Sequence, residues 1–269
     1  MKKKEKIKKE KKKKEVYIEK HGLLGNADDY NVYHMSVPDR FAGYMIGALG
    51  AAAGAYIFFG SAMASVIFGA AAGFFSVKKY KGHLLDKRRK SLLLQFKDLL
   101  ESLNNSYSAG RNTADSFYGA KTDLEMQYGE DADIVREVAV INSGVQNGFN
   151  IEEMLHDLGV RSGLEDITSF ADIFEVSNRL GGDLKKAVSE SYDIIADKIE
   201  MEIEINTLVA SGRNELNIMA VLPFAVVMMM NATSDTETGG FINVAAKSVG
   251  IIMILIAYAI GLKLTKIKI

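Results

Sequence analysis

Residues 41–77 read FAGYMIGALGAAAGAYIFFGSAMASVIFGAAAGFFSV, 37 consecutive positions without a charged side chain. A single helix of that length would reach about 55 Å at 1.5 Å per residue. A bilayer core is only about 30 Å thick. Two short spans, 41–59 and 62–77, with a turn at Gly60 and Ser61, fit that thickness far better than one, and they make residues 41–77 a transmembrane hairpin. The flanks agree. Residues 1–20 hold 11 Lys against 4 Glu, and residues 78–90 hold 7 Lys or Arg against the single Asp86. A hairpin puts both basic flanks on one side, and short loops rich in Lys and Arg resist translocation, so that side is expected to be cytoplasmic.

Within the hairpin, Gly43-x-x-x-Gly47, Gly50-x-x-x-Gly54 and Gly69-x-x-x-Gly73 align small residues on one helix face. Such faces let two backbones approach closely, although Gly and Ala are also simply frequent in membrane helices. The apolar run is too long, and begins too far from Met1, for a cleaved signal peptide.

A second pair of spans is expected toward the C terminus. Residues 216–234 form an uncharged run that contains Pro223 and Met228-Met229-Met230, and residues 241–262 form a fourth, interrupted by Lys247, which must snorkel to the headgroups. The connection at 231–240 contains Asp235 and Glu237 but no Lys or Arg, whereas Lys263, Lys266 and Lys268 follow the last run. Four spans with both termini cytoplasmic satisfy this pattern. The expected division is therefore a basic N-terminal segment at 1–40, a transmembrane hairpin at 41–77, a cytoplasmic helical domain at 78–213, a transmembrane hairpin at 214–263 and a basic tail at 264–269.

Between the hairpins the sign of the charge reverses: residues 91–213 carry 10 Lys or Arg against 23 Asp or Glu. Only two prolines occur in the chain, Pro38 and Pro223, which argues against a turn-rich β fold and for an all-α one. Apolar residues recur at helical spacing, and Gly and Asn mark the joints of six amphipathic helices. The first covers about 86–108, with Leu92, Leu93, Phe96, Leu99, Leu100 and Leu103 on one stripe, and stops at Gly110. Asn112 caps the second, which runs to Tyr128, with Asp115 in its first turn. The third, 131–147, turns Ile134, Val138 and Ile141 inward and ends at Gly148.

Asn150 and Glu153 have capping-box spacing at the start of the fourth, whose apolar face is Ile151, Met154, Leu155 and Leu158. The fifth, 164–179, runs through Ile167, Phe170, Ala171 and Phe174 to Gly181-Gly182. Asp183 caps a long sixth through Leu184, Val188, Ile194 and Ile195 toward the third span. Residues 199–205 alternate Ile or Met with Glu in the period of a strand. They are read as helical, because a lone strand between two helices would leave its backbone groups unpaired.

Chemistry of the catalytic kind has few candidates. Cysteine is absent, which removes disulfides, thiolate metal sites and cysteine nucleophiles. No Walker-type phosphate loop occurs, and Gly181-Gly182-Asp183 would present a repelling carboxylate to phosphate. The four histidines, His21, His34, His83 and His156, have no metal-ligand spacing, and no serine sits in a nucleophile elbow. Asp131, Asp133, Glu152, Glu153, Asp157, Glu165 and Asp166 could gather around a cation, but carboxylates on amphipathic helices are usually solvated faces. The expectation is a protein without catalytic activity, cofactor or metal. Lys-rich residues 2–14 lack interleaved aromatics and precede a membrane hairpin, which favours anionic lipid over nucleic acid. A small membrane transporter or channel component is the alternative class, and it would need polar groups at mid-membrane.

The order of these joints carries a resemblance. Leu99-Leu100-Glu101-Ser102-Leu103 with Ser108-Ala109-Gly110 comes first, then Gly144-x-x-x-Gly148 with Ile151-Glu152-Glu153-Met154-Leu155. Arg179-Leu180-Gly181-Gly182-Asp183-Leu184 follows, with Pro223 inside the next apolar run. Together they resemble the type II secretion system F domain, in the TadB/TadC-like form found in tight-adherence (Flp) pilus assembly platforms. The resemblance covers about 90–230. It implies a helical bundle in an inner-membrane platform protein that couples a cytoplasmic secretion ATPase to prepilin or pilin subunits. It also implies pairing with itself or with a second F-domain platform protein. Residues 1–40 match no part of the family pattern.

Overall fold

A computed structural model of the chain describes residues 17–233, together with 249, 250, 252, 253 and 256–261. The described residues are helical and contain no strand, which makes the chain all-α. Seven helices follow in order: α1 Val37–Phe59, α2 Ala62–Ser108, α3 Thr113–Tyr128, α4 Asp133–Gln146, α5 Ile151–Ser162, α6 Glu165–Arg179 and α7 Leu184–Thr233. Two of them, α1 and α2, are long and apolar enough to cross a membrane. The third apolar run lies within α7. Most of the 231–240 connection, part of the fourth run with Lys247, the tail and the Lys-rich residues 2–14 fall outside the described residues.

The chain divides into two compact units, and α2 and α7 contribute to both. The first contains residues 17–33 and Arg88–Tyr192. Its core is built from the expected stripes, Leu92, Phe96, Leu99 and Leu103 of α2, Ile134, Val138 and Ile141 of α4, and Met154, Leu155 and Leu158 of α5, joined by Phe117 and Leu124 of α3, all essentially inaccessible. From α6, Phe170 meets Phe96 edge-on at 5.5 Å, and Phe174 meets Phe117 in the same way at 6.2 Å. These aromatic pairs tie α2 and α3 to α6 by contacts worth about 0.5–1.5 kcal/mol each beyond burial.

The second unit contains the hairpin. Gly60 closes α1 in the left-handed conformation, and its amide donates to the Tyr56 carbonyl at 2.8 Å, so the turn falls at Gly60 and Ser61. The helices then run antiparallel with glycine at the contact. A Cβ placed on Gly47 would lie 2.3 Å from the Cβ of Ser76, one on Gly73 would lie 2.6 Å from the Tyr44 ring, and one on Gly69 would lie 3.0 Å from the Ala48 carbonyl. The middle pair behaves otherwise: Gly50 faces open space, and Gly54 faces the Phe224 ring of α7.

Two boundaries differ from expectation. The helix expected from residue 86 begins at Ala62, because nothing between 77 and 86 stops it. Lys is a good helix former there, and Gly82 inside a helix costs only about 1 kcal/mol. α1 starts at Val37, earlier than the apolar run, because Ser36 and Asp39 form a reciprocal capping box with Pro38 in the first turn.

The glycine contact predicts an asymmetric mutational response. Gly47→Leu should lower the thermal midpoint of the detergent-solubilised chain by the equivalent of about 1–3 kcal/mol of overpacking, whereas Gly50→Leu should leave it unchanged.

Candidate functional site

The residues that carry the resemblance, Pro223 aside, punctuate the first unit. Ser108 and Ala109 end α2, and the turn is closed by Gly110 and Arg111, whose amides donate to the Tyr107 and Ser106 carbonyls at 3.0 and 3.1 Å. Gly148 and Phe149 close α4 in the same way onto Val145 and Gly144, and Gly181 and Gly182 close α6 onto Asn178 and Ser177. Each is a Schellman turn, with its glycine at positive φ, that satisfies carbonyls a helix end leaves open. Gly144 has a second role: a Cβ there would come within 2.5 Å of Met154 Sδ, so α4 and α5 meet through it. Leu155 beside this contact is fully buried.

The caps on the other side of each joint are mixed. Asn112 accepts from the Asp115 amide at 2.8 Å, and Asp183 accepts from the Lys186 amide at 3.1 Å, both as the sequence suggests. The capping box expected at Asn150 and Glu153 does not form. Asn150 instead turns its amide NH₂ toward the Glu153 carboxylate, 3.4 Å away, and makes no side-chain cap. Its side-chain oxygen accepts no backbone amide, unlike that of Asn112, which takes the Asp115 amide while its NH₂ donates to the Asp115 carboxylate.

Three joints share one end of this unit. Asn178, before the α6 turn, donates to Glu152 in the first turn of α5. A small cleft of about 160 Å³ is lined by Asp115 and Tyr118 of α3, Asn142 and Gln146 of α4, and Ile151 of α5. Tyr118 is exposed above it. Leu184 is half-buried at the start of α7. Pro223 belongs to the other unit, where the adjacent Phe224 ring packs edge-on against Phe58 of α1 at 5.1 Å.

The opposite end holds what sequence reasoning missed. Arg161 of α5 is 1 % exposed and forks onto Glu137 of α4, Nη1 to Oε1 at 2.9 Å and Nη2 to Oε2 at 2.7 Å. Its Nε donates to Asp157 at 2.7 Å, and Nη1 also donates to the Asp28 carbonyl at 2.8 Å. Burial would lower the guanidinium pKa, but the two carboxylates more than reverse this, and Arg161 stays charged. Nearby, Arg88 bridges Asp133 and Asp28, each at 2.7 Å, and lies over the Tyr30 ring at 4.5 Å. Burial acts to raise the Asp133 carboxyl pKa. Hydrogen bonds and charge from Arg88 and Arg136 override it and hold the group below the usual carboxylate range.

A signal for this cluster was present. Glu137 falls on the same stripe as Ile134, Val138 and Ile141, and Arg161 falls three residues after Leu158 on the apolar face of the next helix. Opposite charges on two facing apolar stripes point to a buried pair. The Asp28-Asp29-Tyr30-Asn31 loop that covers it has no periodicity to read.

Among the described residues no three His, Asp or Glu side chains gather as metal ligands. No protein-family model, curated protein or solved structure matches the chain.

Two expectations follow from the charged end. Glu137→Leu should destabilise the chain by about 3–5 kcal/mol because it strands a buried guanidinium, and adding Arg161→Met should recover much of the loss in a double-mutant cycle followed by thermal unfolding. Because the folded pKa of Asp133 is depressed, its contribution is present above the unfolded carboxylate value near about 3.9 and is lost as pH falls through the folded one. The stability gap between wild type and Asp133→Asn should therefore be widest near neutrality and close in acid, as read from unfolding midpoints across pH.

Proposed function

We propose that this chain is an inner-membrane platform of a Tad/Flp-type pilus or type II secretion-like system. In this reading four spans leave both termini and the acidic helical unit in the cytoplasm. The chain catalyses no reaction itself. A secretion ATPase engages the acidic unit, prepilin or pilin subunits meet the apolar spans, and a second F-domain platform protein, or another copy of this one, completes the assembly. The Lys-rich N terminus contacts anionic lipid.

One observation carries the reading: the family-motif joints, far apart in sequence, meet at one end of an acid-rich unit whose first and last helices continue into apolar runs. Those joints are capped turns without catalytic groups, which suits a surface for gripping. The Asp115, Tyr118 and Gln146 cleft lies among them and is the place where we put the ATPase contact. The transporter reading fares worse. A cavity of about 590 Å³ among the apolar helices is lined by Gly50, Gly54, Phe59, Phe68, Phe224 and other apolar residues, with no ionisable group to hold a polar solute.

Sidedness and contact are testable together, since the chain has no cysteine. A single cysteine at Tyr118 should resist a membrane-impermeant maleimide in intact cells and react after permeabilisation. Tyr118→Asp with Gln146→Lys should abolish co-purification of the secretion ATPase while leaving the chain folded with a cooperative thermal transition. Labelling from outside would overturn the topology, and undiminished co-purification would overturn the contact.

A further inference from the structure

Residues 17–33 lack helix and strand, yet they belong to the first unit. They are braced from within by Asp29, which accepts from the Tyr17 hydroxyl at 2.8 Å and from the amides of Lys20 and Asn31 at 2.9 and 2.8 Å. The braced loop is then held by arginines. Arg88 takes the Asp28 carboxylate and stacks on the Tyr30 ring, and Arg89 Nε donates to the Tyr30 carbonyl at 2.9 Å and its guanidinium to the Asn31 side chain. Arg161 Nη1 donates to the Asp28 carbonyl, while the Asn31 amide and the Tyr30 backbone amide donate to the Arg161 carbonyl, both at 3.0 Å.

Of the apolar residues in this segment only Ala27 and Tyr30 are fully buried, Leu24, Val32 and Tyr33 are half-buried, and Ile18 is 82 % exposed. None of the core residues of α2, from Leu92 to Leu103, depends on it for a hydrogen bond. An acidic, tyrosine-anchored segment of turns, without helix or strand, in an arginine-lined notch is the arrangement of a bound peptide. Contacts of this kind weaken with salt far more than an apolar core does.

We propose that residues 17–33 are a releasable strap: a tethered peptide ligand of the notch formed by Arg88, Arg89 and Arg161, exchangeable for an acidic, tyrosine-bearing segment of a partner protein. Release uncovers the Arg161 and Glu137 pair to water. The inference concerns the chain alone and stands whether or not the platform reading holds.

Hydrogen–deuterium exchange of the full chain in detergent provides the first test. The protected amides of Lys20, Ala27, Tyr30 and Asn31 should exchange at least about tenfold faster than those of residues 92–103, as a local opening does. Raising salt from about 0.05 to about 0.5 M should accelerate the strap and leave the α2 core unchanged. Strap and core exchanging at one rate with one salt response would overturn the proposal.

The second test adds a fluorescent peptide of residues 17–33. It should bind a Tyr30→Ala chain in a salt-dependent way, bind wild type at least about tenfold more weakly because the tethered strap competes at high effective concentration, and lose binding when Asp28 and Asp29 of the peptide become Asn. Equal binding to both chains, or none to either, would overturn it. Should Tyr30→Ala unfold the unit, Asp28→Asn in the chain takes its place, since it weakens the strap and leaves the arginines of the notch intact, and the exchange measurement on wild type stands without any variant.

Discussion

The first unit is organised around a guanidinium that has nowhere to go. Arg161 sits in an interior where an isolated charge would cost many kcal/mol, and all of its listening partners are supplied by three separate stretches of chain: Glu137 from α4, Asp157 from its own helix, and the Asp28 carbonyl from the segment before α1. A buried ion pair of this kind contributes little net stability compared with an apolar substitute of the same size. What it contributes is geometry. A bidentate fork accepts one orientation, so α4 and α5 are fixed at that end in one register, and the covering loop is drawn over them. The Tyr30 hydroxyl, buried without a hydrogen-bond partner among the described residues, shows how much polar desolvation this end tolerates. Burial first, then the Glu137 and Asp133 charges, push its pKa up and keep it neutral.

The other end is solved by different means. There the helix termini leave backbone carbonyls rather than side-chain charges to satisfy, and glycine in the left-handed conformation lets the chain fold back to donate to them. The hairpin uses the same residue for the opposite reason. At Gly47 and Gly73 the conformation is ordinary and the missing Cβ is what matters, because it lets one helix lie against the other. Glycine is thus a conformational device at helix ends, at Gly60 as at Gly110, and a steric one where helices touch, at Gly144 as at Gly47 and Gly73. The identical spacing of Gly50 and Gly54 shows that the pattern does not decide which applies: Gly50 meets nothing, and Gly54 makes room for an aromatic ring from α7.

What could be read from sequence tracks the range of the interaction responsible. Helix identity, the turn at Gly60, the inward stripes of α2 and of α4 to α6 and the Asn112 and Asp183 caps depend on neighbours within a turn or two, and the residues announce them. Even the strand-like alternation at 199–205 resolves as helix, since α7 runs through it without a break. The continuity of α2 from Ala62 was less visible, because a change from apolar to basic composition looks like a boundary and is not one for the backbone. The Asn150 box failed on side-chain orientation, since its oxygen takes no backbone amide, and spacing alone does not fix that orientation. The cluster around Arg161 required pairing residues 24 apart and then covering them with a loop 133 residues away. Individual positions hinted at it; the closure did not.

These two ends have different tolerances, and that difference bears on how such a unit could work. Schellman turns rest on backbone hydrogen bonds, indifferent to salt and to most side-chain changes, so the surface around Asp115, Tyr118 and Glu152 can vary or engage another molecule without loosening the fold. The charged end has the reverse character. Its contacts are long-range, partly exposed at Asp28 and Arg136, and screened by ions, so it responds to what surrounds it. A unit built this way has one end insensitive to its surroundings and one that responds to them. The aromatic contacts of Phe96, Phe117, Phe170 and Phe174 lie between them and keep the core intact whichever end is perturbed.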